Sequence, residues 1–380
     1  MRSLLAQPSQ QNDSLSSDSS AYDWQHPLVQ ADLSTIAAQQ LPWQTLANKT
    51  ILITGASGLW GRYLIYSLLW LNDNMGLNCS VLANVRNLER ASTLFNPVQN
   101  RPDLTLITHD FATLAAFDAG QPAQIIIHAA SQAGPAYYGI DPVGTAMANS
   151  AGLAQLLQWG QANGCEKFLF VSSSEVYGQL RPEQIPTDET QLGALDSASV
   201  RACYGESKRL GETLCVGWHQ QFGLPCYIVR PFHTYGPGVN LTDGRVFADF
   251  IAAVMARQPL QIRGDGSPTR AFCYIADAVA GLWTVLLKGT PATPYNIGAP
   301  VETSILQLAQ TLAHQVFADR NLEILTEKTP QQVSGQYLNS PVSRNVPQVG
   351  KLQALGWQPW TSLAAGFERT ISILERSIAF

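Results

Sequence analysis

The chain has 380 residues, 46% of them hydrophobic and 13% charged, with a formal net charge of −5. That balance describes a globular protein with a sizeable core and excludes both a disordered chain and a basic surface for nucleic acid. No run approaches the roughly 18 apolar residues that a membrane crossing needs, so a membrane is not an expected partner either.

In chain order, residues 1–22 are rich in Gln and Ser and are expected to form a disordered tail. Met1–Asp13 carries one Arg and a Leu-Leu pair before turning polar, too little for a signal peptide, and a cytoplasmic setting is expected. Residues 23–48 read as a helical appendage, with a helix over Asp32–Ala47. From Lys49 the pattern becomes strand, turn, helix. Short apolar runs predict strands at Thr50–Thr54, Ser80–Val85, Leu104–Thr108, Gln124–Ala129, Phe168–Ser172 and Tyr227–Val229. Helices are expected over Leu59–Leu71, Gly144–Asn163 and Ser207–Phe222. This alternation predicts an α/β protein, a Rossmann-type doubly wound parallel sheet over 49–231. Beyond Pro231, Gly and Pro become frequent, and helices are expected at Val246–Ala256, Ile275–Leu287, Ile305–Val316 and Leu363–Arg376. Residues 232–380 are therefore expected to form a smaller α/β region closing over the strand ends and binding substrate. The six cysteines form no CxxC pair, so neither a zinc site nor a disulfide framework is expected.

Between the first strand and the first helix lies ILITGASGLWG, with Gly55, Gly58 and Gly61 in a G-x-x-G-x-x-G arrangement. A tight turn needs a backbone free to take positive φ, and a pyrophosphate needs close approach to N–H groups at a helix N-terminus. Gly55, Ser57, Gly58, Leu59, Trp60 and Gly61 are therefore candidate cofactor residues. The second strand ends in Ala83-Asn84-Val85-Arg86, without the carboxylate that usually takes the adenosine ribose. Arg86 would suit a 2′-phosphate, which on these residues leaves NAD and NADP both open, with NAD the cofactor expected overall. Asp110 suits the adenine amine and a helix N-cap equally well.

A second constellation follows. FVSSSEVYG runs from a strand into a polar tip at Ser173, Ser174 and Glu175, and YGESK sets Tyr204 and Lys208 four apart on one helix face. A nearby ammonium lowers a phenol's pKa, which suits the phenol to take a proton from a sugar hydroxyl. A serine at the strand tip completes the relay.

With the TGxxGxxG loop, the YxxxK pair and the strand-end His128-Ala129-Ala130, residues 49–357 resemble the extended short-chain dehydrogenase/reductases that epimerise, dehydrate or decarboxylate nucleotide sugars. The segments SSSEVYG, RACYGESKRLGE, DGRVFADFI and GDGSPTRAFCYIAD are most similar to the UDP-glucuronate decarboxylases, the UDP-xylose synthases, of that family. The resemblance implies Tyr204 as catalytic base with Lys208 and Ser173 as partners, and Glu175 beside the sugar. It implies Phe111, Ala129, Ala130 and Ser131 on the cofactor side. Tyr138, Ser174, Arg201, His233, Arg245 and Val246 would lie on the substrate side, with Arg270 on the diphosphate. It also implies a homodimer paired through the Gly144–Asn163 and Ser207–Phe222 helices.

The neighbours of the base choose the reaction. A 4,6-dehydratase needs an acid to expel the C6 hydroxyl, and its usual Asp is Ser174 here. A decarboxylase needs no such acid, and Glu175 weighs against a simple 4-epimerase. Decarboxylation is the expected outcome, with 4,6- or 5,6-dehydration or 4-epimerisation as the alternatives. Gly144 stands where the decarboxylases carry Lys, and His233 where they carry Asn, which loosens the identity of the sugar. An intact Ser173/Tyr204/Lys208 set argues against a non-catalytic dinucleotide-binding protein.

Overall fold

A computed structural model describes residues 21–135, 137–327 and 342–378. The expected tail lies outside the described residues except at its end, where Tyr22 is buried.

Seven strands form one parallel sheet: β1 (Thr50–Thr54), β2 (Ser80–Val85), β3 (Leu104–Thr108), β4 (Ile125–His128), β5 (Lys167–Val171), β6 (Cys226–Pro231) and β7 (Pro294–Ile297). Their order is β7-β6-β5-β4-β1-β2-β3. Alternate residues feed opposite cores, as the period of a strand requires. Ile51 and Ile53 face one core with Ile125, Ile127 and Val229, whereas Leu52 faces the other with Ile126, Phe168 and Phe170. Burial on both faces explains why these strands read as unbroken apolar runs.

On the first face lie α1 (Pro27–Ala37), α2 (Leu59–Met75) and a long helix over Ile275–Lys288. The second face carries α3 (Pro142–Asn149), α4 (Ala151–Ala162) and α5 (Ala202–Phe222). With α6 (Val246–Met255), the Ile275–Lys288 helix as α7 and α8 (Leu363–Ile378), the helices named here are complete.

Several expectations change. The helix expected over Asp32–Ala47 ends at Ala37, and Trp43–Leu46 forms a separate turn after Pro42. The helix expected over Gly144–Asn163 is two helices, broken at Ser150 with φ −123° and ψ −85°. The run expected over Ile305–Val316 changes after Gln310 from an α-helix to a wider turn. The strand Pro294–Ile297, which the sequence pattern did not announce, pairs with β6. Residues past Pro231 therefore complete the sheet.

One buried carboxylate ties the appendage to the rest. Asp32 of α1 is 2% exposed. It accepts hydrogen bonds from Tyr63 of α2 (3.0 Å) and Tyr274 just before α7 (2.7 Å), and it pairs with Arg369 of α8 (2.5 Å). Burial pushes its pKa up, and Arg369 and the two phenols oppose that shift. Removing one partner of a buried ion pair strands the other, at a cost of about 3–5 kcal/mol. Asp32→Ala should lose about that much stability in urea unfolding, and Asp32→Asn, which keeps an acceptor for the phenols, should lose less.

Candidate active site

The cofactor turn is fixed by lack of room. Gly55 has φ 68°, and a Cβ there would stand 2.7 Å from the carbonyl oxygen of Ala129. A Cβ on Gly61 would collide with the Gly55 carbonyl. Beneath the turn, Thr54 Oγ1 donates to His128 Nδ1 (2.8 Å) and accepts from the Ala130 N–H (3.1 Å). His128 Nε2–H donates to the Ala148 carbonyl (3.2 Å). Burial, with the charge of Lys208, pushes His128 down to about 3, so the ring is neutral and can serve both bonds.

This cradle fits a dinucleotide. The N-terminus of α2 has Gly58 at its cap, no side-chain cap bond and no acidic residue in its first turn, which leaves its N–H groups for an anion. Ser57, Leu59 and Trp60 surround the turn, half-buried, and Ala129 and Ala130 line its other side. The Ser131 hydroxyl is buried without a hydrogen-bond partner among the described residues, as expected for a group awaiting a ligand. Arg86 is exposed just beyond β2. Asp110 caps its own turn, accepting from the Ala112 N–H at 2.9 Å. Phe111 packs its ring against His128 and Phe117, at 5.4 and 5.1 Å between centroids.

Ser173, Tyr204 and Lys208 converge past the end of β5. Ser173 opens a short turn, its Oγ accepting from the Glu175 N–H (3.2 Å). Tyr204 and Lys208 share the face of α5 turned to that strand end. Lys208 is 2% exposed, and its Nζ donates to the Val171 carbonyl (2.7 Å) and lies 5.7 Å from the centre of the Tyr204 ring. Burial pushes this amine down to about 7, with Glu212 opposing. The Tyr204 phenol corrects an expectation. Burial pushes it up to about 12, the hydrogen bond from Ser173 only partly offsetting this, and Lys208 does not acidify it.

On the substrate side, Tyr138 stacks on Tyr204 with centroids 5.0 Å apart and donates its hydroxyl to the Ala133 carbonyl (3.0 Å). Arg201 Nη2 donates to both oxygens of Glu175 at 3.1 Å, while its Nη1 is buried without a partner among the described residues. Ser174 Oγ accepts from Asn345 (3.3 Å). Arg245 is paired with Asp243 (2.7 Å from Nε), and Val246 begins α6 behind it. His233 Nδ1 is buried without a partner among the described residues, and burial with Arg270 and Arg245 nearby holds the ring neutral. Arg270, expected on the diphosphate, donates to the carbonyls of Thr269 (2.7 Å) and Val342 (2.9 Å), which ties it to the Val342–Asn345 stretch.

Sequence reasoning missed the group that holds α5. Glu212, one turn beyond Lys208, accepts from Ser172 Oγ (2.6 Å) and from Arg230 of β6 (2.6 and 2.9 Å). The only sequence signal was its i+4 spacing from Lys208.

Lys208 generates a pH prediction. A lysine whose folded pKa lies near 7 and whose unfolded pKa lies near 10.5 destabilises the fold most below pH 7, where a charge must be buried. That cost fades as pH rises towards the unfolded value. The melting temperature of the wild type relative to Lys208→Met should therefore rise between pH 7 and pH 10. A pH-independent difference would contradict it.

The family model described as "NAD dependent epimerase/dehydratase family" matches residues 51–298. The chain is 33% identical over 321 residues to UDP-glucuronic acid decarboxylase 6 of Arabidopsis thaliana, covering 84% of this chain and 87% of that protein. It is 31% identical over 337 residues to UDP-glucuronic acid decarboxylase 1 of Xenopus tropicalis, covering 87% and 73%. Among solved structures, UDP-glucuronic acid 4-epimerase from Bacillus cereus in complex with NAD superposes with a TM-score of 0.70 at 24% identity, covering 86% of this chain and 96% of that one. With the family model spanning well over half its length, the chain belongs to the NAD dependent epimerase/dehydratase family.

Proposed function

We propose that the protein is an NAD-dependent nucleotide-sugar decarboxylase whose substrate is UDP-glucuronate or a sugar nucleotide bearing the same C6 carboxylate. Bound at the β1–α2 turn, the nicotinamide would supply reversible hydride transfer at C4. The turn would hold the pyrophosphate on the N–H groups of α2. Tyr204 would take the C4 hydroxyl proton, with Ser173 bridging phenol and sugar and Lys208 behind it. With burial pushing the phenol up, the positive charge of a bound nicotinamide would be the natural source of its acidification.

One observation carries the choice of reaction. Glu175 is held through both oxygens by Arg201, and Ser174 replaces the usual acid, so no free carboxylic acid stands at this strand end to expel a hydroxyl. Decarboxylation needs none, because a C4 ketone is β to the C6 carboxylate and CO2 leaves unaided by an acid. The decarboxylases among the relatives support the same reading. Pairing of two copies through α3–α4 and α5 belongs to it, since Leu210, Val216 and Phe222 of α5 are exposed. So does a cytoplasmic setting; no described helix is long and apolar enough to cross a membrane.

Incubation with UDP-glucuronate and a panel of UDP-, dTDP-, GDP- and CDP-sugars, read by mass, tests this. Loss of about 44 mass units, one CO2, is expected from a uronate. Loss of one water would mean dehydration, and unchanged mass with altered retention would mean epimerisation; either overturns the decarboxylase reading. Tyr204→Phe should cut turnover by about 10²–10⁴-fold while leaving NAD binding intact.

A further inference from the structure

The family match begins at residue 51, yet the segment before it is built into the core. Tyr22 and Trp24 are buried, and their rings pack on Tyr63 and Tyr66 of α2 at centroid distances of 5.8–6.0 Å. At the same place Arg62, the residue after Gly61 of the cofactor turn, is 1% exposed. Its guanidinium lies 5.0 Å from the centre of the Tyr22 ring, and its Nη2 donates to the carbonyl of Gly238 at 2.7 Å. Gly238 has φ 92°, and a Cβ there would run into Arg62 and would stand 2.8 Å from Tyr22 Cε1. The three residues therefore pack with no spare volume. Gly238 opens the loop that leads to Asp243 and Arg245, and Arg245 faces Tyr204 and Tyr138.

We propose that the N-terminal segment is a positioning strap for the active site: Tyr22 holds Arg62 of the cofactor helix against Gly238, and so fixes the Gly236–Arg245 loop relative to the dinucleotide turn. The physical reasoning has two parts. An arginine stacked under an aromatic face and bonded to a carbonyl loses little further freedom, so the loop carbonyl has one place to sit. The first turn of α2, whose N–H groups would meet the pyrophosphate, is the turn that carries Arg62. A shift of the strap would then be felt on both sides of the pocket at once. Asp32, further along the same segment, bonds Tyr63, next to Arg62, and Tyr274, which pairs with Tyr235 just ahead of the loop, so the segment's buried anchor adjoins the Tyr22–Arg62–Gly238 contact and steadies it.

This rests on the dinucleotide reading of the β1–α2 turn, and the test separates the two. Tyr22→Leu and Arg62→Met are compared with Trp43→Leu, which weakens the same segment where it packs on Trp283, at the other end. The readouts are amide hydrogen exchange of residues 236–245, the NAD dissociation constant of the cofactor-free protein, KM and kcat for the nucleotide sugar, and melting temperature. Tyr22→Leu and Arg62→Met should speed exchange in the loop about tenfold, weaken NAD about tenfold and raise KM more than they lower kcat. Trp43→Leu should lower the melting temperature without any of these. Loop exchange and NAD affinity that follow melting temperature alike in all three variants would overturn the strap. Faster loop exchange in a protein whose wild type binds no NAD would leave the strap's hold on the loop standing and sink the cofactor reading instead.

Discussion

Everything at the active site depends on the close approach of two backbones at the β1–α2 turn. Gly55 lies so near Ala129 and Ala130 that no side chain fits, and Gly61 lies as near to Gly55. This is what aims the N-terminus of α2 into the crevice beyond the strand ends, where open parallel sheets bind ligands. The Thr54–His128–Ala130 bonds under the turn hold β1 and β4 in that relation, and they work because burial keeps His128 neutral. A charged imidazole there would lose its acceptor nitrogen and with it the bond from Thr54.

The helix that carries Tyr204 and Lys208 is set by a different balance. Lys208 is buried at real electrostatic cost, and Glu212 and Arg230 form the nearest ion pair that steadies α5 against β5 and β6. A buried pair of this kind adds little net stability, but breaking it is expensive, so it acts mainly to define one position for the helix. The tyrosine thereby reaches Ser173 at the tip of β5, and Tyr138 is stacked behind it. Burial pushes the Tyr204 phenol up to about 12, the hydrogen bond from Ser173 opposing.

How much of this was legible differs by feature. Strands β1, β2 and β3 were readable to the residue, because burial on both faces leaves an unbroken apolar run bounded by turns. The break at Ser150 was passed over because the apolar spacing runs on through it, although Asn149, Ser150 and Gly152 are all weak helix formers. β7 was hidden for the opposite reason. The run Pro294–Ile297 contains Pro and Asn, and Asn296 is satisfied only by partners distant in sequence, among them Tyr177 and the Thr187 carbonyl. At the site, glycine spacing and the Tyr/Lys interval survive any folding detail, so the tight turn at Gly55 and Gly61 and the meeting of Ser173, Tyr204 and Lys208 could be expected from the sequence. Arg201 and Arg270 were placed on the substrate side by the resemblance alone. Only in three dimensions are Arg201 Nη2 seen on Glu175 and Arg270 on a set of carbonyls.

The sequence by itself therefore determined the sheet-and-helix order, the glycine turn and which side chains are proposed to react. Each of these depends on local rules: strand and helix periods, glycine where a Cβ cannot fit, four residues to a helical face. The tertiary structure alone decided which charges neutralise which, that the phenol sits above its ordinary pKa, and that the segment before residue 51 reaches the pocket through Tyr22, Arg62 and Gly238. Those outcomes depend on distances between residues far apart in the chain and on the burial of each group, and neither quantity is encoded in any local stretch.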